Sequence, residues 1–181
     1  LRANALNQFQ SIPLKYIIRS NYPTVYSLHD MTNINEPLIV DASLPKLENY
    51  GLYLIDNGHR LHLWVGGFAV SKLVQDVFGV TSLAEVPIGE VEVPFVEGSE
   101  FNRNVREVIQ EIRNEMNADS IAYLPLYIVI GPSPNEQTAF STEQLRVLAN
   151  LRIHALNTFV EDSIFHMESY SDFLQSLKKN I

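Results

Sequence analysis

Apolar and polar positions in the middle of the chain follow a pattern that predicts a β-hairpin. Residues 52–56 read LYLID, an apolar run of strand length, and residues 60–65 read RLHLWV. In the second run the apolar side chains fall at every other position, at Leu61, Leu63 and Val65. Asn57 and Gly58 stand between the runs, and both residue types tolerate the positive φ of a tight turn. The period of two places Trp64 on the face opposite the leucines.

Two helices are predicted after the hairpin. The segment FAVSKLVQDVFG, residues 68–79, predicts a short amphipathic helix that ends at Gly79, because glycine readily adopts the left-handed conformation of a helix C-cap. Residues 99–118 predict a long helix with Ser99 as its N-cap. Apolar residues recur along it at spacings of three and four, at Phe101, Val105, Val108, Ile109, Ile112 and Met116. This spacing predicts one buried stripe.

Three further segments predict strands. The segment TVYSLHD at 24–30 ends in polar residues, and the segment at 123–131 is almost wholly apolar, which indicates a central strand. The segment VEVPFVEG at 91–98 contains Pro94, which has no N–H to donate, so we expect it at an edge or a bulge. Residues 13–23 begin and end with proline and are expected to be irregular.

The C-terminal part is predicted to be helical after a mobile loop at 132–140. Ser141 and Gln144 have the spacing of a capping box, and they open a helix that runs to about Glu161. Its main apolar stripe consists of Leu145, Leu148, Ala149, Leu156, Phe159 and Val160. A last helix begins near Ser169 and turns three apolar residues inward, Phe173, Leu174 and Leu177.

Strands and helices therefore interleave, which predicts an α/β fold of the α+β type. We expect a central mixed β-sheet with a short helix on one side, a long helix on the other, and additional helices toward the C-terminus. The opening residues LRANALNQF read as the tail of a helix, so we expect the chain to belong to a longer protein.

The composition narrows the classes of function. The chain has 181 residues, of which 13 are basic and 21 acidic, and its net charge is −8. An acidic chain with few basic clusters is poorly suited to nucleic acid or to anionic membranes. It contains no cysteine, which excludes disulfides and thiolate metal sites, and no apolar run approaches the length of a membrane span. We therefore expect no nucleic-acid partner and no direct membrane insertion.

The histidines do not form a pattern that predicts a metal or catalytic site. His59 and His62 straddle a turn and a strand, and residues three apart on a strand face opposite sides, so they cannot hold one ion. We interpret both as exposed. His29 and Asp30 are adjacent, but no nucleophile motif lies near them.

The remaining polar features also have structural interpretations. Gly66 and Gly67 lack the spacing of a phosphate-binding loop, and we interpret them as a turn that lets the next helix pack closely on the sheet. Trp64 is interpreted as a core residue rather than a ligand platform. Three glutamates repeat every four residues on the long helix and predict a solvated face: Glu107, Glu111 and Glu115. We therefore predict no catalytic, cofactor-binding or metal-binding residue in this chain.

The helix that opens at Ser141 carries the candidate interaction residues. Besides its main stripe it has a second, mixed face formed by Val147, Leu151, His154 and Thr158, while Arg152 lies at the margin of the stripe. A helix with apolar residues on two sides either is buried between layers or contacts a partner. Both interpretations remain open for this helix.

The hairpin resembles the signature of a gelsolin-like repeat, FxLDxGxxxxxWxG. The matching residues are Tyr53, Leu54, Ile55, Asp56, Gly58, Trp64, Val65 and Gly66. This resemblance implies a central mixed sheet between a long and a short helix, in agreement with the pattern. Calcium-binding members usually carry an acidic residue just ahead of the first hairpin strand, where this chain has Gly51. The departure speaks against calcium binding and actin severing.

The flanking segments resemble the C-terminal region of the Sec24 family, the cargo-selecting subunits of the COPII inner coat. The segments that carry this resemblance are YPTVYSLHDM at 22–31, FVEDSIFHMESYSDFLQSLKKNI at 159–181, LPLYIVIG and SLAEVPIGEVEVP. The resemblance covers nearly the whole chain. It implies that residues 1–12 end a preceding all-helical domain and that residues 13–181 form a gelsolin-like domain.

This resemblance implies a non-enzymatic role in protein export from the endoplasmic reticulum to the Golgi. Family members are cytoplasmic and peripheral on exit sites and COPII vesicles; they bind cargo sorting signals and pair with a GTPase-activating subunit. The module is then mainly a scaffold against other domains of its subunit, and one wall of a cargo pocket is assigned to Arg152, His154 and Thr158. No cofactor is implied here, since the family's zinc finger lies outside this chain.

Three alternatives remain. A gelsolin-type actin-binding module would bind actin in a calcium-dependent way, which Gly51 argues against. The GTPase-activating partner subunit also resembles a gelsolin-like module near its end, but YPTVYSLHDM and ESYSDFL favour the cargo-selecting subunit. An enzyme of unknown type would need a cleft in which titratable groups converge.

Overall fold

The chain folds around a mixed β-sheet in a computed structural model that describes residues 14–29, 37–40, 42, 47–118, 123–157 and 159. Within these residues the sheet has six strands: β1 (Thr24–Ser27), β2 (Leu38–Val40), β3 (Leu52–Asp56), β4 (Leu61–Val65), β5 (Gly89–Glu90) and β6 (Leu126–Ile130). Their order across the sheet is β2-β1-β3-β4-β6-β5. Strands β4 and β6 are parallel, and the other neighbours are antiparallel. The central position of the apolar strand β6, between β4 and β5, is confirmed.

The helices of the described residues are α1 (Leu14–Asn21), α2 (Ser71–Phe78), α3 (Glu100–Ala118), α4 (Glu136–Ala139) and α5 (Thr142–Leu156), with one 3-10 turn at Leu83–Glu85. Helices α2 and α3 share one core cluster with one face of the sheet. The C-terminal half of α5 packs against the other face. A mixed sheet between a long helix, α3, and a shorter one, α5, confirms the predicted fold. The shorter helix opposite α3 is α5, however, because α2 packs beside α3.

Both faces of the central hairpin are buried. Every residue of β3 and β4 is buried, so successive side chains enter two different clusters. The first face presents Leu52, Leu54, Leu61, Leu63 and Val65 to α2 and α3. The second face presents Tyr53, Ile55 and Trp64, and Trp64 is only 4% exposed. The interpretation of Trp64 as a core residue on the face opposite the leucines is confirmed.

The hairpin turn is held by Asp56, the last residue of β3. Asp56 Oδ1 accepts a hydrogen bond from Gly58 N at 2.8 Å, and Gly58 has a φ of 77°. Asp56 is fully buried and pairs with Arg19 of α1, with 3.0 Å between Oδ2 and Nη1. Burial raises the pKa of Asp56, while the hydrogen bond from Gly58 and the charge of Arg19 oppose this shift. The aspartate of the hairpin signature therefore joins the turn to α1.

The two glycines after β4 allow a close approach between loop backbones. A Cβ atom on Gly66 would collide with the carbonyl oxygen of Asn49, and one on Gly67 with that of Pro132. These neighbours belong to the loops before β3 and after β6. The predicted turn is confirmed by the hydrogen bond from Ala69 N to the carbonyl of Gly66 at 2.9 Å, while the closest contacts of the two glycines are with these loops rather than with the next helix.

Several predicted element boundaries are wrong. The segment between Pro13 and Pro23 contains α1, because a proline next to either end of a helix is compatible with that helix. The predicted strand at 91–98 is replaced by the shorter β5, and Val96 N donates to the side chain of Asn102 instead of to a strand. The expected loop at 132–140 contains α4.

The other helix predictions have mixed outcomes. Gly79 ends α2 in the left-handed conformation, with a φ of 73°, as predicted. The buried stripe of α3 is confirmed at Val105, Val108, Ile109 and Ile112. Residues 1–12 and the predicted last helix near Ser169, with Phe173, Leu174 and Leu177, lie outside the described residues, so the proposed domain division stays a prediction.

A buried polar group connects α2, α3 and the segment after β5. Ser99 Oγ accepts from Asn102 N at 3.1 Å, which confirms Ser99 as the N-cap of α3. The Asn102 side chain is 1% exposed, and its Nδ2 donates to the carbonyls of Val77 at 2.7 Å and Pro94 at 2.8 Å. Its Oδ1 accepts from Val96 N at 3.2 Å. One amide side chain thus satisfies backbone groups of two otherwise separate segments.

Asn102→Ala should destabilise the chain by about 2–4 kcal/mol, because it leaves one buried carbonyl, one part-buried carbonyl and one part-buried N–H without their partner. The free energy of unfolding, measured by urea denaturation, checks this. Asn114→Ala is the matched control, since Asn114 is an exposed residue on the same helix, and it should cost less than about 0.5 kcal/mol. Equal losses in the two variants would contradict the role of Asn102.

Candidate functional site

Helix α5 begins where the sequence predicts. Ser141 Oγ accepts from Gln144 N at 3.3 Å, and Gln144 Oε1 accepts from Ser141 N at 2.9 Å, so the capping box is confirmed. The helix ends at Leu156 rather than near Glu161, and Asn157 is its C-cap. This earlier end lets Phe159 turn back into the cluster on the second sheet face, where it is 9% exposed.

The two stripes predicted for α5 are only partly correct. Leu148 is fully buried and belongs to the first core cluster, whereas Ala149 is exposed. Leu151 and Leu156 are half-buried against the second cluster, together with the buried Ala155. Helix α5 therefore contributes to both clusters, and a partner contact by its exposed residues stays a prediction.

Arg152 fastens α5 to the end of β6. Its Nε donates to the carbonyl of Ile130 at 2.7 Å, and its Nη2 donates to the carbonyl of Gly131 at 3.1 Å. The same Nη2 binds Glu136 Oε2 of α4 at 2.8 Å. The hydrogen bond from Arg152 lowers the pKa of Glu136, so this glutamate stays ionised. The Arg152 side chain is 14% exposed and holds three elements together.

His154 lies on the exposed side of the same helix, two residues beyond Arg152. Ile153 next to it is also exposed, at 55%. The third predicted contact residue, Thr158, lies outside the described residues. The structure thus places Arg152 inward and His154 outward, and a partner contact by any of the three stays a prediction.

A buried histidine lies under this helix and is absent from the predicted site. His62 on β4 is 1% exposed, so its interpretation as an exposed strand residue is wrong. The covered second face of the sheet is the reason, since His62 alternates with the leucines of β4. Its ring stacks on Tyr127 with centroids 5.8 Å apart, and its Nδ1 has no hydrogen-bond partner within the described residues.

The protonation of His62 is suppressed by its surroundings. Burial lowers its pKa to about 4, and the charges of Arg60 and His154 act in the same direction. His62 is therefore neutral at neutral pH. A neutral, stacked imidazole on a strand is a packing group here, and the alternating pattern of β4 could have indicated its burial once both faces were known to be covered.

The position just ahead of β3 is shaped for glycine. A Cβ atom on Gly51 would lie 2.5 Å from Tyr53 Cε2 and 2.7 Å from His29 Cε1. An acidic side chain could not occupy this position unless both rings moved. Among the described residues, no group of three or more His, Cys, Asp or Glu side chains is placed to hold a metal ion.

The length and polarity of the helices also bear on membrane contact. Of the helices in the described part of the chain, none is both long enough and apolar enough to span a bilayer.

The chain matches one family description and several known proteins. Residues 33–109 match the Gelsolin repeat family. The chain is 46% identical over 196 aligned residues to the Saccharomyces cerevisiae protein named Protein transport protein SEC24, covering 99% of this chain and 21% of the relative. Identity is 46% to Protein transport protein SEC24-2 of Candida glabrata and 42% to Protein transport protein SEC24 of Kluyveromyces lactis, with 99% of this chain and 20% of each relative covered.

A solved structure has the same fold. The match is described as the crystal structure of the human COPII-coat protein Sec24c, and it has a TM-score of 0.66 at 24% identity. The superposition covers 93% of this chain and 20% of that one. The chain thus spans about a fifth of the length of the relatives that it matches.

The mixed sheet, its two helix layers and the repeat match define a gelsolin-like domain. The identity that extends over the whole chain is more specific than the repeat alone. Over nearly its whole length the chain is similar to Sec24 proteins, and it corresponds to their gelsolin-like region.

The buried His62 should make stability depend on pH. The unfolded chain binds a proton on this histidine near pH 6.5, and the folded chain only near pH 4. Between these values the unfolded state binds more protons, so stability falls as the pH decreases. At pH 5 the contribution from His62 should be a loss of about 2 kcal/mol relative to pH 7.

His62→Leu should remove that part of the loss, whereas His59→Leu, at an exposed position of the same hairpin, should keep it. Urea denaturation at pH 7 and pH 5 measures the difference for all three proteins. If His62→Leu loses as much stability as the unmodified chain, the histidine is not the source.

Proposed function

We propose that the chain is the C-terminal gelsolin-like part of a cargo-selecting subunit of the COPII coat. The subunit would act in protein export from the endoplasmic reticulum to the Golgi. The observation that carries this proposal is the 46% identity to the Saccharomyces cerevisiae transport protein, which extends over 99% of this chain. The fold shared with the human COPII-coat protein Sec24c supports it.

Within that subunit the module acts mainly as a scaffold. Its central strands are buried on both faces, and its buried side chains Asn102, Arg113 and Asp56 are engaged in internal contacts. Side chains committed in this way position elements rather than react with a substrate. This supports the expectation that the module has no enzymatic activity and requires no cofactor, with zinc confined to another part of the subunit.

The proposed partners follow from the family. They are the GTPase-activating subunit of the inner coat, the sorting signals of cargo proteins and the other domains of the same subunit. The subunit would be cytoplasmic and peripheral at endoplasmic reticulum exit sites and on COPII vesicles. The net charge of −8 supports a role without nucleic acid.

Helix α5 is the proposed wall of a cargo-signal pocket. Arg152 holds this helix against β6 through two backbone carbonyls, so α5 presents its exposed side from a fixed position. His154 and the neighbouring Ile153 are exposed on that side, and Thr158 stands four residues after His154 in the sequence. An imidazole beside an exposed apolar side chain suits a short peptide with one polar and one apolar anchor.

A second candidate is an actin-binding role, which the Gelsolin repeat match at 33–109 favours. Calcium-dependent binding of the chain to actin filaments distinguishes it from the adaptor. The crowded position of Gly51 argues against the calcium site that such a role would use. The GTPase-activating subunit of the same coat is a weaker alternative, because the relatives found along the whole chain carry the name SEC24.

Affinity purification of the full-length protein from cytosol should recover a GTPase-activating coat subunit in stoichiometric amount. Mass spectrometry of the purified complex identifies the partner. Recovery of actin in place of a coat subunit, or of the protein by itself, would contradict the adaptor role and leave only the fold.

His154→Ala should reduce the recruitment of a subset of cargo proteins without changing stability, because His154 is exposed. Vesicle budding with the full-length subunit, read out by the cargo content of the vesicles, measures this. Arg152→Ala is the structural comparison, and it should lower the unfolding free energy by about 1.5–3 kcal/mol through its lost charged hydrogen bonds. A uniform loss of all cargo with reduced stability for His154→Ala would show that the residue only packs.

A further inference from the structure

A groove of about 390 Å³ lies between α3 and the segment that follows β5. Its apolar lining comes from Val93 and Ile109, which are 6% and 3% exposed and belong to the first core cluster. Three arginines of α3 also line it: Arg103, Arg106 and Arg113. Arg103 stands three residues before Arg106 and Arg113 stands seven residues after it, so the three side chains lie along one side of the helix. The groove therefore combines an apolar lining with a row of cations.

Arg113 forms a rigid end of this groove. Its side chain is 8% exposed, and its Nη1 and Nη2 bind the two carboxylate oxygens of Glu92 at 3.0 and 2.8 Å. Its Nε donates to the carbonyl of Leu124 at 3.0 Å, and the guanidinium lies 4.6 Å from the centroid of the Tyr123 ring. Glu92 is therefore neutralised by a bidentate pair, which is a strong and well-oriented contact.

The other end of the groove carries weaker pairs. Arg103 lies 3.2 Å from Glu100 and 3.9 Å from Glu107, and all three side chains are more than half exposed. Exposed pairs of this kind contribute little, so an incoming carboxylate can replace them at small cost.

Arg106 is the arginine of the groove that forms no ion pair with the described residues. Its guanidinium carbon lies 5.6 Å from the centroid of the Phe95 ring, and Phe95 is 73% exposed. No carboxylate of the described residues lies within ion-pair distance of Arg106, while the two glutamates of the groove pair with Arg113 and Arg103. The result is an arginine without an ion pair among the described residues, beside an exposed aromatic ring, although its charge also helps to lower the pKa of Glu92.

We propose that this groove binds an extended peptide segment of another protein in which an acidic side chain stands next to a large apolar one. The carboxylate pairs with Arg106, and the apolar side chain lies on Val93 and Ile109, with Phe95 beside it. Charge complementarity favours this occupant. A basic segment would place a second positive charge beside Arg106, while the glutamates that line the groove already pair with Arg103 and Arg113. The groove lies on the α3 side of the sheet, so it is separate from the proposed surface on α5 and does not depend on it.

A fluorescent peptide of alternating glutamate and leucine tests the groove by fluorescence anisotropy with the full 181-residue chain. Binding should weaken as salt is raised, because the pair with Arg106 is exposed to solvent. Arg106→Glu should weaken binding at least about tenfold, and Phe95→Ala should weaken it as well. Both side chains are exposed, so neither change removes a core contact.

Matched controls make the result decisive. Arg146→Glu reverses an exposed arginine on α5 and should leave the affinity unchanged. A peptide with glutamine in place of glutamate, and one with serine in place of leucine, should both bind at least about tenfold more weakly. Equal binding by the glutamine peptide, equal loss with Arg106→Glu and Arg146→Glu, or no binding of the acidic peptide would each overturn the proposal. Recovery of the coat subunit in the purification experiment is unaffected by any of these outcomes.

Discussion

The double-sided burial of the β3–β4 hairpin is the constraint on which the rest of the structure depends. All ten positions of the two strands are buried, so the chain has to supply apolar cover on both faces of the sheet. Helices α2 and α3 provide it on one face, and α5 with Phe159 provides it on the other. Each fully buried large side chain contributes about 1.5–3 kcal/mol, so removing either layer would expose more apolar surface than the folded chain can tolerate.

The polar groups of the interior follow from that constraint. Layers that meet across a sheet bring loop and helix ends into dry surroundings, where unpaired carbonyls are costly. Three polar side chains satisfy them from different directions: Asn102, Arg113 and Arg152. Asp56 and Arg19 perform a related task at the hairpin turn, where a buried carboxylate needs a cation. These side chains hold the elements in place, whereas the proposed contacts with partners use the exposed groups His154 and Arg106.

Much of this arrangement could be predicted from local pattern. Asn57-Gly58 identified the hairpin turn, Ser141 and Gln144 the start of α5, and Gly79 the end of α2, because each signal acts within a few residues. The gelsolin-like fold was predictable for the same reason, since its signature lies within one hairpin. The burial of His62 and the exposure of Ala149 could not be predicted, because each depends on which element covers a given face. The interaction groove was also missed, since Arg106 and Phe95 meet only through tertiary packing.

The sequence by itself determined the hairpin with its two strands, the two amphipathic helices that follow it and the resemblance to the Sec24 family, because these rest on short-range periodicity and on residue identity. Only the tertiary structure decided that α2 lies beside α3, that α5 covers the opposite face, and that Arg152 points inward while His154 points outward. The physical reason is that both sheet faces are apolar. The apolar stripe of a helix predicts that this side is buried, but it does not identify the sheet face or the helix that buries it.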